Sequence, residues 1–81
     1  MLVLPNPAAQ HATVQVMLGD GGNTLVELVD PTGRTVMVLS NERMTAGEHR
    51  WQLPLERMNA GLYFIRVQQG GLLRVARFTK Q

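Results

Sequence analysis

Apolar and polar residues alternate in short runs along the chain, and turn-forming residues separate one run from the next. Between residues 12 and 18, for example, Val14, Val16 and Leu18 fall on one side of an extended strand and the residues between them fall on the other. No segment keeps the period of about 3.6 residues that an amphipathic helix requires. The pattern predicts strands at 2–4, 12–18, 24–30, 35–40 and 48–53, followed by a closing hairpin.

About seven short strands with turn signals roughly every 8–12 residues are typical of an Ig-like antiparallel β-sandwich. The fold class predicted is therefore all-β, with room for one helical turn only in the connector 54–59. The length of 81 residues is enough for a single domain spanning 1–81. A domain this small has a thin margin of stability, because it buries only about 60% of the surface that its unfolded chain exposes.

The closing hairpin is the segment whose register follows directly from its turn. If Gly70 and Gly71 form a two-residue turn, Tyr63 pairs with Phe78 and the two faces of the hairpin are fixed. One face is the more apolar and is predicted to belong to the core; it comprises Tyr63, Ile65, Val67, Ala76 and Phe78.

The opposite face of the hairpin combines apolar and basic side chains. Phe64 lies on it between Arg66 and Arg77, and Lys80 follows near the end of the chain. A strip of exposed apolar and basic side chains is a candidate contact surface. We therefore interpret Phe64, Arg66, Arg77 and Lys80 as recognition residues that have no role in the core.

Charge and cysteine content exclude several classes of function. The net charge is +2, and the basic residues are spread along the chain except for a late cluster, which is too sparse to indicate a nucleic-acid partner. There is no cysteine, so neither a disulfide nor a thiolate metal site is available. No run is long and apolar enough to span a membrane as a helix.

Catalytic and metal-binding patterns are missing as well. Ser40 is the only serine and does not lie in a nucleophile elbow, and His11 and His49 do not form a zinc motif. Asp20 lies in a glycine-rich turn that lacks the alternating oxygen ligands of a calcium loop. We expect no enzyme activity, no cofactor and no metal.

The aromatic residues leave two interpretations open. Trp51 and Tyr63 are expected to anchor the core, because large aromatic side chains dominate small cores, but exposed rings could instead stack on a sugar. Tyr63 also follows a glycine at the start of a strand, as in the tyrosine corner of sandwich folds, where the hydroxyl bonds back to the upstream backbone.

Several motifs, taken in order, carry a resemblance to a known family. They are Pro5-Asn6-Pro7, Asp30-Pro31-Thr32-Gly33-Arg34-Thr35-Val36, Ala46-Gly47-Glu48-His49, Ala60-Gly61-Leu62-Tyr63-Phe64-Ile65-Arg66-Val67 and the closing Arg77-Phe78-Thr79-Lys80. With these motifs the chain resembles, over almost its whole length, the type A C-terminal sorting domain of proteins exported by the type IX (Por) secretion system of Bacteroidetes.

The resemblance implies an Ig-like domain that acts as an address rather than as a catalyst. Such a domain follows a larger secreted cargo, passes through the periplasm and is recognised by a translocon that moves the cargo to the cell surface or the exterior. A surface sortase then removes the domain and attaches the cargo to the cell surface. The motif residues expected to be structural are Pro5, Asn6, Pro7, Asp30, Gly33, Gly47, Gly61 and Tyr63.

Two other functions remain as alternatives: an Ig-like spacer or adhesion module of a surface protein, and a small carbohydrate-binding module. The resemblance further implies that residues 1–81 were excised from a larger secreted precursor. The partners expected are the translocon, the sortase and the preceding cargo domain, with no nucleic acid. Exposed strand edges also allow a dimer formed by strand pairing.

Overall fold

Two antiparallel sheets packed face to face make up the computed structural model, which describes residues 1–5 and 8–81. Asn6 and Pro7, which belong to the first motif, lie outside the described residues. The strands are β1 (Leu2–Leu4), β2 (His11–Leu18), β3 (Gly22–Val29), β4 (Thr35–Met44), β5 (Gly47–Pro54), β6 (Gly61–Gln69) and β7 (Leu72–Lys80).

One sheet has three strands in the order β1-β2-β5, and the other has four in the order β4-β3-β6-β7. The predicted all-β, Ig-like antiparallel sandwich is therefore confirmed. The edge strands are β1 and β5 in the first sheet and β4 and β7 in the second.

The core forms where the apolar positions of the two sheets meet. Alternation along each strand directs every second side chain inward. In β2, β3 and β6 the buried valine, leucine and isoleucine side chains at these inward positions are Val14, Val16, Leu18, Val26, Leu28, Ile65 and Val67. Full burial of one such side chain stabilises the fold by about 1.5–3 kcal/mol. The largest fully buried side chains are Phe78, Leu28, Leu53, Leu55 and Ile65.

Strand β4 is longer than the alternation predicts, since it runs to Met44 rather than ending near residue 40. Its pairing with β3 slips between Val26 and Glu27 and again between Leu28 and Val29. A bulge adds one residue to a strand and interrupts its alternation, which hides the strand's full length in the sequence. In the connector after β5, the amide of Met58 donates to the carbonyl of Leu55 at 3.0 Å, a single turn.

The turn between β3 and β4 is organised by Asp30. Its Oδ1 accepts hydrogen bonds from the amides of Thr32 and Arg34, both at 3.0 Å, and from the Thr32 hydroxyl at 2.6 Å. Gly33 has a φ of 87°, which lies in the left-handed region that favours glycine. Led by the hydrogen bond from the Thr32 side chain, these contacts hold the pKa of the Asp30 carboxyl below its usual value.

Candidate functional site

The closing hairpin has the register that its glycine turn predicts. Tyr63 pairs with Phe78, Ile65 with Ala76 and Phe64 with Arg77, without a slip along the whole ladder. Gly70 has a φ of 55°. Positive φ at the first central residue is what a type II′ hairpin turn requires, so a glycine at that position sets the register of both strands.

Tyr63 is the residue that ties the start of β6 to the rest of the sandwich. Its hydroxyl donates to the carbonyl of Asn59 at 2.7 Å, and its ring stacks on Phe78 with centroids 6.0 Å apart. Phe78 is only 1% exposed. The hydroxyl therefore bonds back to the upstream backbone, which is the geometry of a tyrosine corner.

We use the term outer face for the side of the four-stranded sheet that points away from the three-stranded sheet. Five large apolar residues on this face are between 39% and 57% exposed: Val36, Val38, Leu62, Leu73 and Val75. They lie on three different strands, β4, β6 and β7. The outer face therefore exposes large apolar side chains on three of its four strands.

Phe64 and Arg77 lie side by side on the outer face as a directly paired couple on β6 and β7. On its other side Phe64 pairs with the buried Val29 of β3. The Phe64 ring is half-buried, whereas Arg77 is exposed. These two predicted recognition residues are thus neighbours on one surface.

Arg66 was interpreted as a recognition residue without a structural role, but it forms an ion pair with a buried carboxylate. It pairs in register with Glu27 of β3, and its Nε and Nη2 lie 2.8 and 2.6 Å from the Oε1 atom of that carboxylate. The other oxygen, Oε2, accepts from the Thr35 hydroxyl at 2.8 Å. The Glu27 side chain is 7% exposed and that of Arg66 is 29% exposed.

The surroundings of Glu27 change its acidity. Burial raises the pKa of the Glu27 carboxyl, but the hydrogen bonds from Arg66 and Thr35 and the charge of Arg66 outweigh burial, so its pKa lies below the usual value. The carboxylate therefore stays ionised in the middle of an apolar face. This pair could not be predicted from the sequence, because no local turn encodes the pairing of β3 with β6.

Lys80 also departs from the interpretation, because it does not share a face with Phe64 and Arg77. It has the same strand parity as Phe78, so its side chain leaves the opposite side of β7. Lys80 is half-buried, and its Nζ donates to the carbonyl of Gln81 at 2.8 Å. The hairpin register alone predicts that the Lys80 side chain lies on the same face as Phe78.

Trp51 lies on the edge strand β5, half-buried, and packs against the core. Its ring stacks on His49 with centroids 6.1 Å apart. The two rings line an open cleft of about 280 Å³ together with Ser40, Glu42, Arg43, Met44, Thr45 and Arg50.

Neither a metal-binding cluster nor a membrane-spanning helix is found among the described residues. No group of three or more histidine, cysteine, aspartate or glutamate side chains among them is placed to hold a metal ion. No helix within residues 1–5 and 8–81 is long and apolar enough to cross a membrane.

Comparison with known proteins places this geometry in context. The family model described as "Secretion system C-terminal sorting domain" matches residues 2–81. Among solved structures, the chain is similar to part of PorZ, an essential bacterial surface component of the type IX secretion system of Porphyromonas gingivalis, with a TM-score of 0.69 and 21% sequence identity. The match covers 99% of this chain and 11% of the PorZ chain, and at this identity it shows the fold alone. No curated protein matches the chain by sequence.

Proposed function

The chain belongs to the family of type IX secretion C-terminal sorting domains, and from this premise we propose that it directs a covalently attached cargo protein across the outer membrane. The observation that carries the proposal is the family match over residues 2–81. The route is transit through the periplasm, followed by delivery of the cargo to the cell surface or the exterior.

The outer face is the surface that we propose the translocon recognises. A secretion machine that accepts unrelated cargoes must recognise something that all of them share, and an exposed apolar face on the common domain meets that need. Phe64 and Arg77 are the paired contact residues that we propose on this face. Arg66 supports the same face through Glu27, while Lys80 offers a separate charge near the end of the chain.

Removal of the domain by a surface sortase, with attachment of the cargo to the cell surface, completes the proposal. Cleavage is proposed before or at the start of the described strands, and no residue of the chain is assigned to it. The sortase and the translocon then act at different places, the first upstream of the sandwich and the second on the outer face.

The test is export of a reporter. Residues 1–81 are fused to the C-terminus of a reporter protein that carries an N-terminal signal peptide, in a bacterium that has a type IX secretion system. Reporter activity in the medium or on intact cells is expected, together with its loss in a strain without the translocon. A stable, folded fusion that stays in the periplasm of the intact strain contradicts the proposal.

A carbohydrate-binding function is a second candidate, and the cleft beside Trp51 favours it. An aromatic ring with neighbouring arginine and glutamate side chains has the chemistry of a sugar subsite. Titration with soluble glycans while Trp51 fluorescence is recorded tests this candidate directly. A change in Trp51 fluorescence that Arg50→Ala abolishes is expected if sugars bind there, and an unchanged spectrum contradicts it.

A further inference from the structure

The outward edge of β7 is an incompletely paired strand edge. In the sheet order β4-β3-β6-β7, β7 has only β6 as a neighbour. The two-residue turn makes Gln69 and Leu72 a hydrogen-bonded pair, so every second residue from Leu72 onward exchanges its backbone bonds with β6. The N–H and C=O groups of the residues between them, Leu73, Val75 and Arg77, therefore point away from β6.

Thr79 is the next residue whose backbone groups point away from β6, and its carbonyl already has a partner on that side. The carbonyl of Thr79 accepts a hydrogen bond from the amide of Ala8 at 2.8 Å, and the amide of Gln81 donates to the carbonyl of Ala8 at 2.7 Å. Ala8 thus forms a parallel bridge beside Lys80 and is itself fully buried. One residue of an added strand is therefore present at the end of β7.

Within residues 1–5 and 8–81, no backbone hydrogen bond reaches the outward groups of Leu73, Val75 and Arg77, so the open part of the edge runs from Leu73 to Arg77. At about 3.3 Å per residue it accommodates an extended segment of roughly five residues. Natural edge strands are usually protected by proline, by a bulge or by charge. Strand β7 contains no proline and its ladder with β6 has no slip, so charge is the protection that the strand itself provides.

The charge along this edge is all of one sign. Strands β1, β6 and β7 together contain four basic residues and no acidic residue. Arg66 is neutralised by Glu27, whereas Arg74, Arg77 and Lys80 form no ion pair within residues 1–5 and 8–81. Arg74 instead donates to the carbonyl of Met17 at 3.4 Å. A second copy of the chain would bring like charges together here, whereas an acidic segment would complement them.

We infer that the open edge of β7 binds an extended, acidic segment of a partner protein, which adds to the four-stranded sheet as a fifth strand. Its backbone pairs with Leu73, Val75 and Arg77, its apolar side chains lie beside Leu73 and Val75, and its carboxylates lie beside Arg74 and Arg77. The inference rests on the proposed function, since it names the chemistry by which the sorting domain is recognised.

The first experiment measures strand addition on the isolated 81-residue chain. The probe is a short labelled peptide with valines at the positions opposite Leu73 and Val75 and glutamates at those opposite Arg74 and Arg77. Its counterpart has lysine in place of each glutamate. The acidic peptide is expected to bind at least about tenfold more tightly and to lose that advantage as salt is raised. Amide exchange at Leu73, Val75 and Arg77 is expected to slow on binding, while the amides of Arg74 and Ala76 are protected already.

Two variants of one residue separate backbone pairing from side-chain contact. Val75→Pro removes an outward N–H that β6 does not use, and proline is tolerated on an edge strand when its missing N–H faces solvent. Val75→Thr keeps that N–H and the branched shape. Val75→Pro is expected to weaken peptide binding by about tenfold or more while its circular dichroism spectrum stays native, and Val75→Thr is expected to bind nearly as well as the parent.

Several outcomes overturn the inference. They are equal binding of the acidic and basic peptides, protection of amides outside β7 only, a Val75→Pro variant that is folded and binds normally, and self-association of the chain through β7. Export of the reporter is scored separately. If the peptide does not bind but the reporter is exported, the inference fails and the proposed function stands; if the parent fusion is not exported, the proposed function fails whatever the peptide does.

Discussion

Arg66 of β6 donates two hydrogen bonds to a single oxygen of Glu27 on the neighbouring strand β3, with its Nε and Nη2 at 2.8 and 2.6 Å from Oε1. The pair lies in the middle of a row that runs across all four strands, Val38, Glu27, Arg66 and Val75. The two valines at the ends of the row are 54% exposed, whereas the Glu27 side chain is 7% exposed. The outer face therefore has a covered ionic centre and an open apolar rim.

Truncation of Arg66 is expected to destabilise the domain, because it leaves the carboxylate of Glu27 buried without its cation. Breaking a fully buried pair costs about 3–5 kcal/mol and an exposed pair at most about 1 kcal/mol. Arg66 is partly exposed, so we expect Arg66→Ala to lower the free energy of unfolding by about 2 kcal/mol, measured by urea denaturation.

The matched control for Arg66 is Arg77, which is on the same face of the same hairpin but is exposed. Arg77→Ala is expected to change the free energy of unfolding by less than about 0.5 kcal/mol. If both variants lose the same stability, the Glu27 pair is not the source of the effect.

The stability of the domain should fall in acid, because two carboxyl groups have a lowered pKa in the folded state. A lowered folded pKa means that the unfolded chain binds more protons, so stability is complete above the unfolded pKa and is lost as pH falls through the folded one. For Glu27 the loss begins as pH drops below its usual pKa of 4.5 and continues downward.

The measurement is a series of urea denaturations from about pH 6 down to about pH 2.5. Glu27→Gln cannot ionise and is expected to show a flatter pH profile and a lower stability near neutral pH than the parent. An unchanged slope in Glu27→Gln, with the parent's full acid sensitivity, would show that other carboxyl groups are responsible.

The hydroxyl of Tyr63 should contribute to stability through its bond to the carbonyl of Asn59. Tyr63→Phe keeps the ring that stacks on Phe78 and removes only this hydrogen bond, so a loss of about 1 kcal/mol is expected. Tyr63→Leu also removes the aromatic stack and should cost more. The melting temperatures of the two variants give the comparison, and equal values would mean that the stack contributes nothing.

The sequence predicts what is local in this fold and misses what depends on pairing between distant strands. The hairpin register and the tyrosine corner follow from Gly70 and Tyr63, because a short turn and a nearby carbonyl determine them. The partner of Arg66 could not be predicted, since β3 and β6 meet across more than thirty residues. The extension of β4 was missed because its bulges break the alternation.

The turn after β3 should require glycine at position 33, because the backbone there has a positive φ. Gly33 has a φ of 87° and no heavy atom near an added Cβ, so Gly33→Ala is costly for its backbone conformation rather than for space. We expect it to lose about 1 kcal/mol. Gly71→Ala meets open space without a positive φ and is the control, with little change or a slight gain. Equal losses in thermal unfolding would contradict this account.

Reversal of the charge at Arg77 should impair export without unfolding the domain. Deletion of the last four residues does not test the signal cleanly, because it removes Phe78, which is 1% exposed in the core. Arg77→Glu instead changes one exposed side chain beside Phe64 on the outer face. The variant is expected to melt like the parent and to lower the exported fraction of the reporter several-fold, because the proposed partner surface would then meet a like charge. Arg57→Glu makes the same change in net charge in the connector between β5 and β6, outside both strands of the hairpin, and should be exported normally. Normal export of a folded Arg77→Glu fusion would remove Arg77 from the recognition surface.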